Sequence, residues 1–252
     1  MFPIPVNRAA PLGGAARTAI IAAVCLACAP ASSSTRRAES TASLTASEVS
    51  TTVASTSSAT QPSAAKDPDI ARADLARIAG NPSAKTWVII VSDFQCPYCK
   101  QWHDQTYPAF FNEYVKTGKV RFAYINYPLN SHQHAWPAAQ SAMCAAAQDK
   151  FWPMHDALFA TQAAWEVLPA PTPVFDSLAR SLKLDVKRWS DCVASGKMRP
   201  LIQADHDRAL AAGATATPTF LIGGSIAVGA IPIADMRKAV DSALAKAGQS
   251  PP

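Results

Sequence analysis

No stretch of this chain is apolar for the ~20 residues that a bilayer-spanning helix needs. The candidate run, TAIIAAVCLACA from Thr18 to Ala29, stops at 12 residues. Arg8 and Arg17 precede it, and residues 1–31 contain no acid. A short apolar core behind a positive segment is the pattern of an export signal rather than of a membrane span. Basic blocks are missing too. The formal charge of +5 falls to +3 once Arg8 and Arg17 are removed, so neither nucleic acid nor a charged membrane surface is expected as a partner. Aromatics are absent from Ser32 to Ala65, where 25 of 34 residues are Ser, Thr or Ala. Such a stretch buries too little apolar surface to offset its ordering entropy. Residues 32–66 therefore read as a flexible tether. No internal repeat occurs.

The end of the leader has two readings. Ala29-Pro30-Ala31 fits cleavage after Ala31, which gives a signal peptide over residues 1–31 and a soluble periplasmic or secreted product. Leu26-Ala27-Cys28 resembles part of a bacterial lipoprotein box, although Cys25 stands where such boxes usually carry Leu. That reading would anchor the protein through a lipid on Cys28, the one membrane contact expected. Either route leads to an extracytoplasmic, oxidising compartment, where disulfides persist.

The folded domain is expected over residues 67–252. Asp67-Pro68 can open a helix with Ile70, Leu75 and Ile78 as its apolar residues, stopped by Gly80-Asn81-Pro82. The β-branched run Thr86–Val91 predicts a buried strand. A helix from Pro97 to about Val115, bent at Pro108, follows, and then a second strand over Val120–Asn126. Helical periodicity fills a block of about residues 131–213, with Trp136, Ala139, Met143 and Ala147 on one face. TFLIGG and SIAVGA then read as a hairpin turning on Gly223-Gly224. Ile233, Met236, Val240 and Leu244 mark a closing helix. The order is that of an α/β fold, a mixed central sheet with a helical subdomain inserted in its middle.

The stretch DFQCPYCK, Asp93–Lys100, carries the chemistry. If the strand ends at Phe94 and a helix starts at Pro97, Cys96 is the N-cap, since proline suits the first helical position. Its sulfur then faces free backbone donors and the positive end of the helix dipole. Such a cysteine can fall from a pKa of ~8.5 to ~3.5–7.5. Cys99, one turn further in, is expected to be more buried. One exposed nucleophile and one resolving thiol are what thiol–disulfide exchange requires. Structural zinc would want a second pair or an H-x₃₋₅-H arrangement, and His103 alone does not supply it. A structural 96–99 bridge would close too small a loop to constrain the chain. No metal ligand is assigned.

A second feature lies far away, where Thr217-Pro218 in ATATPTFLIGG directly precedes a strand. SDFQCPYC, the block AAQSAMCAAAQDKFWPMHDALF and TPTFLIGG together resemble the DsbA-like thiol–disulfide oxidoreductases of the thioredoxin superfamily. The resemblance covers roughly residues 80–247. It implies a thioredoxin fold and Cys96 as nucleophile with Cys99 resolving. It also implies Pro218 cis and packed against the pair, with Thr217 offering backbone groups to a substrate chain. Pro97 and Tyr98 would tune the pair, with Tyr98 lining the substrate surface. Relatives often carry an acid six residues before the first cysteine, where this chain has Ile90. Asp93 is expected to face elsewhere, which leaves Cys99 to water or His103 for its proton transfer.

Cys144 and Cys192 sit on separate predicted helices, and related proteins often carry cysteines at these positions. A structural disulfide is expected there, against two inert thiols or a second redox pair. His132 and His134, in SHQHAW, are expected to cap the helix beginning at Ala135 rather than to bind metal. Trp102, Trp136, Phe151 and Trp152 read as core, with Trp102 a candidate edge of a peptide groove. The resemblance implies formation of disulfides in exported protein or peptide thiols. No cofactor is needed beyond the Cys96–Cys99 disulfide, and a membrane redox partner resets the pair. The alternatives are a periplasmic reductase or isomerase, shared features with glutaredoxins keeping these open, and a non-catalytic tethered thioredoxin-like module that binds a partner or a copper ion.

Overall fold

The run TWVIIVS forms β2, Thr86–Ser92, at the centre of a mixed sheet in the computed structural model, which describes residues 67–248. The sheet has five strands in the order β1-β3-β2-β4-β5. Strand β3, Val120–Asn126, runs parallel to β2 with Ile90 opposite Tyr124 and Ser92 opposite Asn126. Strand β4, Thr219–Ile222, pairs antiparallel on the other side, with Val91 opposite Thr219. Because both faces are largely covered, Val88, Ile90 and Val91 are all buried. That is why β2 reads as a continuous apolar run rather than an alternation.

Helix α1, Pro68–Ala76, opens as expected, with the Asp67 carboxylate accepting from the Asp69 N–H. Two expectations for it fail. Leu75 is 69% exposed, and Ile78 belongs to a short strand, β1, Ile78–Gly80, antiparallel to β3. Its last residue, Gly80, has φ +95° and lies so near the Val120 carbonyl that a Cβ would overlap it. The glycine that was read as a helix stop therefore lets an edge strand approach β3.

The single bent helix expected over Pro97–Val115 is three pieces. Helix α2 spans Pro97–Gln105, α3 spans Tyr107–Phe110, and a π-helical turn spans Phe111–Val115. The break falls at Thr106, not at Pro108. Pro108 sits in the first turn of α3, where its missing N–H costs nothing, so it starts a helix rather than bending one. Trp102 is buried, its ring 4.9 Å from Phe220 and tilted against Phe110 and Phe122. It is core and not the edge of a groove. Phe151 is buried and Trp152 partly so, its ring 5.2 Å from Phe122.

Between β3 and β4 run six helices: α4 Ala135–Ala146, α5 Phe151–Ala160, α6 Gln162–Trp165, α7 Thr172–Ser181, α8 Val186–Ser195 and α9 Arg199–Ala211. Helix α4 is buried on several sides, Ala138, Ala142, Met143 and Ala145 included. Its small residues let the neighbouring helices close around it. Cys144 of α4 and Cys192 of α8 are joined, with the sulfurs 2.06 Å apart. A buried ion pair adds a polar tie. The Arg77 guanidinium contacts the Asp205 carboxylate of α9, which also accepts from the Asn126 side chain at 2.9 Å. Asp205 is fully buried and Arg77 nearly so.

The hairpin from β4 to β5, Ser225–Val228, turns on Gly223 and Gly224, with φ of +53° and +87°. Positive φ at both turn residues is the conformation that matches strand twist, and glycine adopts it freely. Helix α10, Ile233–Lys246, buries Met236, Val240 and Leu244. Among the described residues no helix is long and apolar enough to cross a membrane. The expected export signal, the Cys28 anchor and the tether lie outside the described residues.

Candidate active site

Strand β2 ends and α2 begins around one short loop, and that loop carries the cysteine pair. Cys96 is the N-cap of α2, with extended backbone, φ −70° and ψ 125°, and Pro97 follows as the first helical residue. Buried Gln162 holds the loop from beneath, its amide donating to the Phe94 carbonyl at 2.6 Å and to the Cys96 carbonyl at 3.3 Å. Pro97 and Tyr98 face solvent, Tyr98 at 62% exposure, but the thiol expected to be exposed, Cys96, is buried almost as fully as Cys99.

The two sulfurs sit in opposite electrostatic settings. A hydrogen bond from the Cys99 thiol lowers Cys96 most, opposed by burial. The Thr217 side chain and the N–H groups of Cys99 and Tyr98 pull the same way, and Cys96 is held at about 6. Burial pushes Cys99 far above the ordinary thiol range, and its hydrogen bond to Cys96 adds to the rise. A thiolate at Cys96 next to a retained proton on Cys99 is the state this geometry favours.

Across the pair, the Thr217–Pro218 peptide bond is cis. The Cys96 thiol donates to the Thr217 carbonyl at 3.4 Å. The Thr217 hydroxyl is buried without a hydrogen-bond partner, which leaves it free to donate to a thiolate. Gly229 N–H donates to the Pro218 carbonyl at 2.8 Å and pins the turn.

Ile90, where relatives often carry an acid, is buried in the sheet. The polar groups around Cys99 are others. The Asp93 N–H donates to its sulfur at 3.5 Å, and the Ser92 side chain partly offsets the rise at Cys99. Burial, with Cys99 next, pushes the Tyr124 hydroxyl well upward. Ser92 and Tyr124 hydroxyls are both buried without a fixed partner. Residue reading missed this pair. The register that places them on neighbouring strands beneath the cysteines is not written in any local motif.

Asp93 does turn its carboxylate away. It accepts from the N–H groups of Gln95 at 2.7 Å and Leu129 at 2.9 Å, and contacts His132 Nδ1 at 2.7 Å. The Asp93 hydrogen bond raises His132, and nearby Cys96 adds to the rise. His132 therefore does not cap a helix as expected. It locks the loop after β3 onto the loop that bears the cysteines. His134 occupies the cap position of α4, but its ring contacts the Leu168 carbonyl at 2.7 Å and caps nothing. His103 is turned toward α5 and contacts Asp104 and Asp156, rather than serving Cys99.

The thioredoxin family model matches residues 73–242. The chain belongs to that family. Among its relatives are the probable disulfide bond formation protein D of Bacillus anthracis, 28% identical over 171 residues that cover 66% of this chain and 77% of the relative. Another is the Na(+)/H(+) antiporter NhaA 3 of Salinispora tropica, 34% identical over 179 residues, 71% of this chain. The chain spans about a quarter of that antiporter, 26% of its length. In fold it is similar to α-DsbA1 of Wolbachia pipientis, TM-score 0.61 at 22% identity, covering 68% of this chain and 92% of that one. Oxidised BdbD of Bacillus subtilis is similar to the same degree, TM-score 0.61 at 21% identity, covering 67% and 92%. Relatives and neighbours thus agree with the family model on a thioredoxin fold, and disulfide bond formation proteins stand among the relatives.

Proposed function

We propose that the protein forms disulfides in exported protein or peptide thiols through Cys96 and Cys99. The observation that carries this reading is the asymmetry of the pair, with Cys96 held at about 6 and Cys99 far above the ordinary thiol range. Stabilising the Cys96 thiolate stabilises the reduced pair, and a stable reduced pair makes the disulfide an oxidant. In the forward reaction a substrate thiolate attacks Cys96 Sγ of the oxidised pair. The Cys96–Cys99 bond breaks, and its electron pair and a proton go to Cys99. A second substrate thiolate then attacks the substrate sulfur of the mixed disulfide. Cys96 departs as thiolate, a good leaving group because it is a weak base. The substrate has lost two electrons and the pair has gained them.

In this reading Thr217 and Pro218 present the substrate chain to Cys96, with exposed Tyr98 and Val228 as apolar contacts on either side. Val228 pairs with Thr219 directly after Pro218. Residues 1–31 export the chain, the Ala29-Pro30-Ala31 cut being the favoured one, and residues 32–66 tether a domain of residues 67–252. A membrane redox partner returns the pair to the disulfide, and the cysteines carry the electrons themselves. Cys144–Cys192 serves as a structural bridge.

The test is catalysed oxidation of a reduced dithiol peptide by the full chain, with Cys96→Ser beside it. Loss of turnover in the variant supports the enzyme. Equal rates in both would leave only a binding module, and faster insulin reduction than peptide oxidation would favour the reductase.

A further inference from the structure

The side chains of His103, His155 and Asp156 converge where α2 meets α5. One carboxylate oxygen, Asp156 Oδ1, lies 3.4 Å from His103 Nε2 and 2.8 Å from His155 Nδ1. A donor atom from each of the three falls within 4.8 Å of the others. A tetrahedral ion with bonds of ~2.0–2.1 Å holds its ligand atoms ~3.3–3.4 Å apart, so small side-chain adjustments suffice.

His103 has a carboxylate at each ring nitrogen, Asp104 Oδ1 standing 3.0 Å from Nδ1. A neutral imidazole has one N–H. With that proton on Nδ1 facing Asp104, the Nε2 lone pair points toward Asp156 and is open to a metal ion. Asp104 is in turn held by Lys100 Nζ at 2.8 Å. A carboxylate behind a histidine is the usual outer support of a metal-bound imidazole, fixing its tautomer and aim. His103 and Asp156 also line a cavity of about 690 Å³ walled by Tyr107, Phe111, Trp152 and Pro153.

We propose that His103, His155 and Asp156 form a divalent-metal site of the zinc class, with a water from this cavity as fourth ligand. Two imidazoles and one carboxylate suit zinc and its transition-metal neighbours rather than magnesium or calcium. The ion ties α2, one turn beyond Cys99, to the inserted helices through α5. It does not touch the cysteine pair and does not depend on the direction of the thiol chemistry.

The test uses the full chain with Cys96–Cys99 oxidised and the remaining thiols alkylated, so that sulfur cannot bind the probe. Zn²⁺ is titrated calorimetrically and Co²⁺ by its visible absorption. The expected result is one ion per chain, a Co²⁺ spectrum of tetrahedral type and a raised Tm with Zn²⁺. His103→Gln and Asp156→Asn each weaken binding at least ~10-fold, the size of loss seen even for outer-shell changes, and abolish the rise in Tm. Both positions are partly exposed, so the variants are chosen to fold where a change at buried His155 would not. No stoichiometric binding by the wild type, or binding unchanged in both variants, would overturn the site.

Discussion

Replacing Thr217 with Val tests the electrostatics of the pair while keeping the shape of the side chain. The hydroxyl is buried without a partner when Cys96 is a thiol, and it lowers Cys96 by donating to the thiolate. A hydrogen bond to a charged group contributes ~1.5–3 kcal/mol, which is ~1–2 pK units at ~1.4 kcal/mol per unit. Cys96 should rise from about 6 to ~7–8. At pH 7 the thiolate fraction then falls from ~90% to between ~50% and ~10%. The reduced form loses ~1–1.4 kcal/mol at that pH, which moves the potential ~20–30 mV in the reducing direction. The assay is the pH titration of ultraviolet thiolate absorbance, with the rate of iodoacetamide alkylation as a second readout. A folded variant whose midpoint stays within ~0.3 units of the wild type would refute the role given to the hydroxyl.

Other expectations follow from the same contacts. The folded pKa of Cys96 lies below the ordinary thiol value, so its ionisation stabilises the reduced protein fully only above that ordinary value. The stabilisation disappears as pH falls through about 6. Between ~6 and ~8.5, urea unfolding should show the reduced wild type gaining ~1.4 kcal/mol per pH unit over Cys96→Ala; parallel curves would contradict this. Ser92→Ala removes the hydroxyl donor to Cys99 and should slow its deprotonation, measured as slower reoxidation at fixed oxidant with an unchanged Cys96 midpoint. Asp205→Ala removes the buried partner of Arg77, leaving it only Asp74 and the Tyr124 carbonyl, and should cost up to ~3–5 kcal/mol in urea unfolding; a loss under ~1 kcal/mol would mean these contacts and water replace the pair. Replacing both Cys144 and Cys192 by Ala should cost up to ~4 kcal/mol for a separation of 48 residues, with the Cys96 midpoint unmoved.

Much of the fold was legible because its signals are local. Pro97 after a β-branched run sets a helix start, and that start makes Cys96 a cap. Gly223-Gly224 sets a hairpin. Met236, Val240 and Leu244 show one buried helical face. What escaped depends on partners distant in sequence. Arg77 and Asp205 are 128 positions apart, and neither looks buried by composition. Ser92 and Tyr124 meet beneath Cys99 only because β2 and β3 run parallel in one register. His132 stands out by its place in SHQHAW, but its partner Asp93 lies 39 residues earlier, so the local motif points to capping instead. The break at Thr106 was misplaced because proline was read as a bend, although in the first turn of a helix it is a start.

The central claim is that this pair is poised to donate a disulfide. Its most direct test is the reduction potential of Cys96–Cys99, measured by equilibrating the full chain with glutathione buffers of defined ratio. A stabilised Cys96 thiolate predicts a value toward about −120 mV, the oxidising end of the thioredoxin superfamily. A value near −270 mV, the thioredoxin end, would make the protein an electron donor and contradict the account.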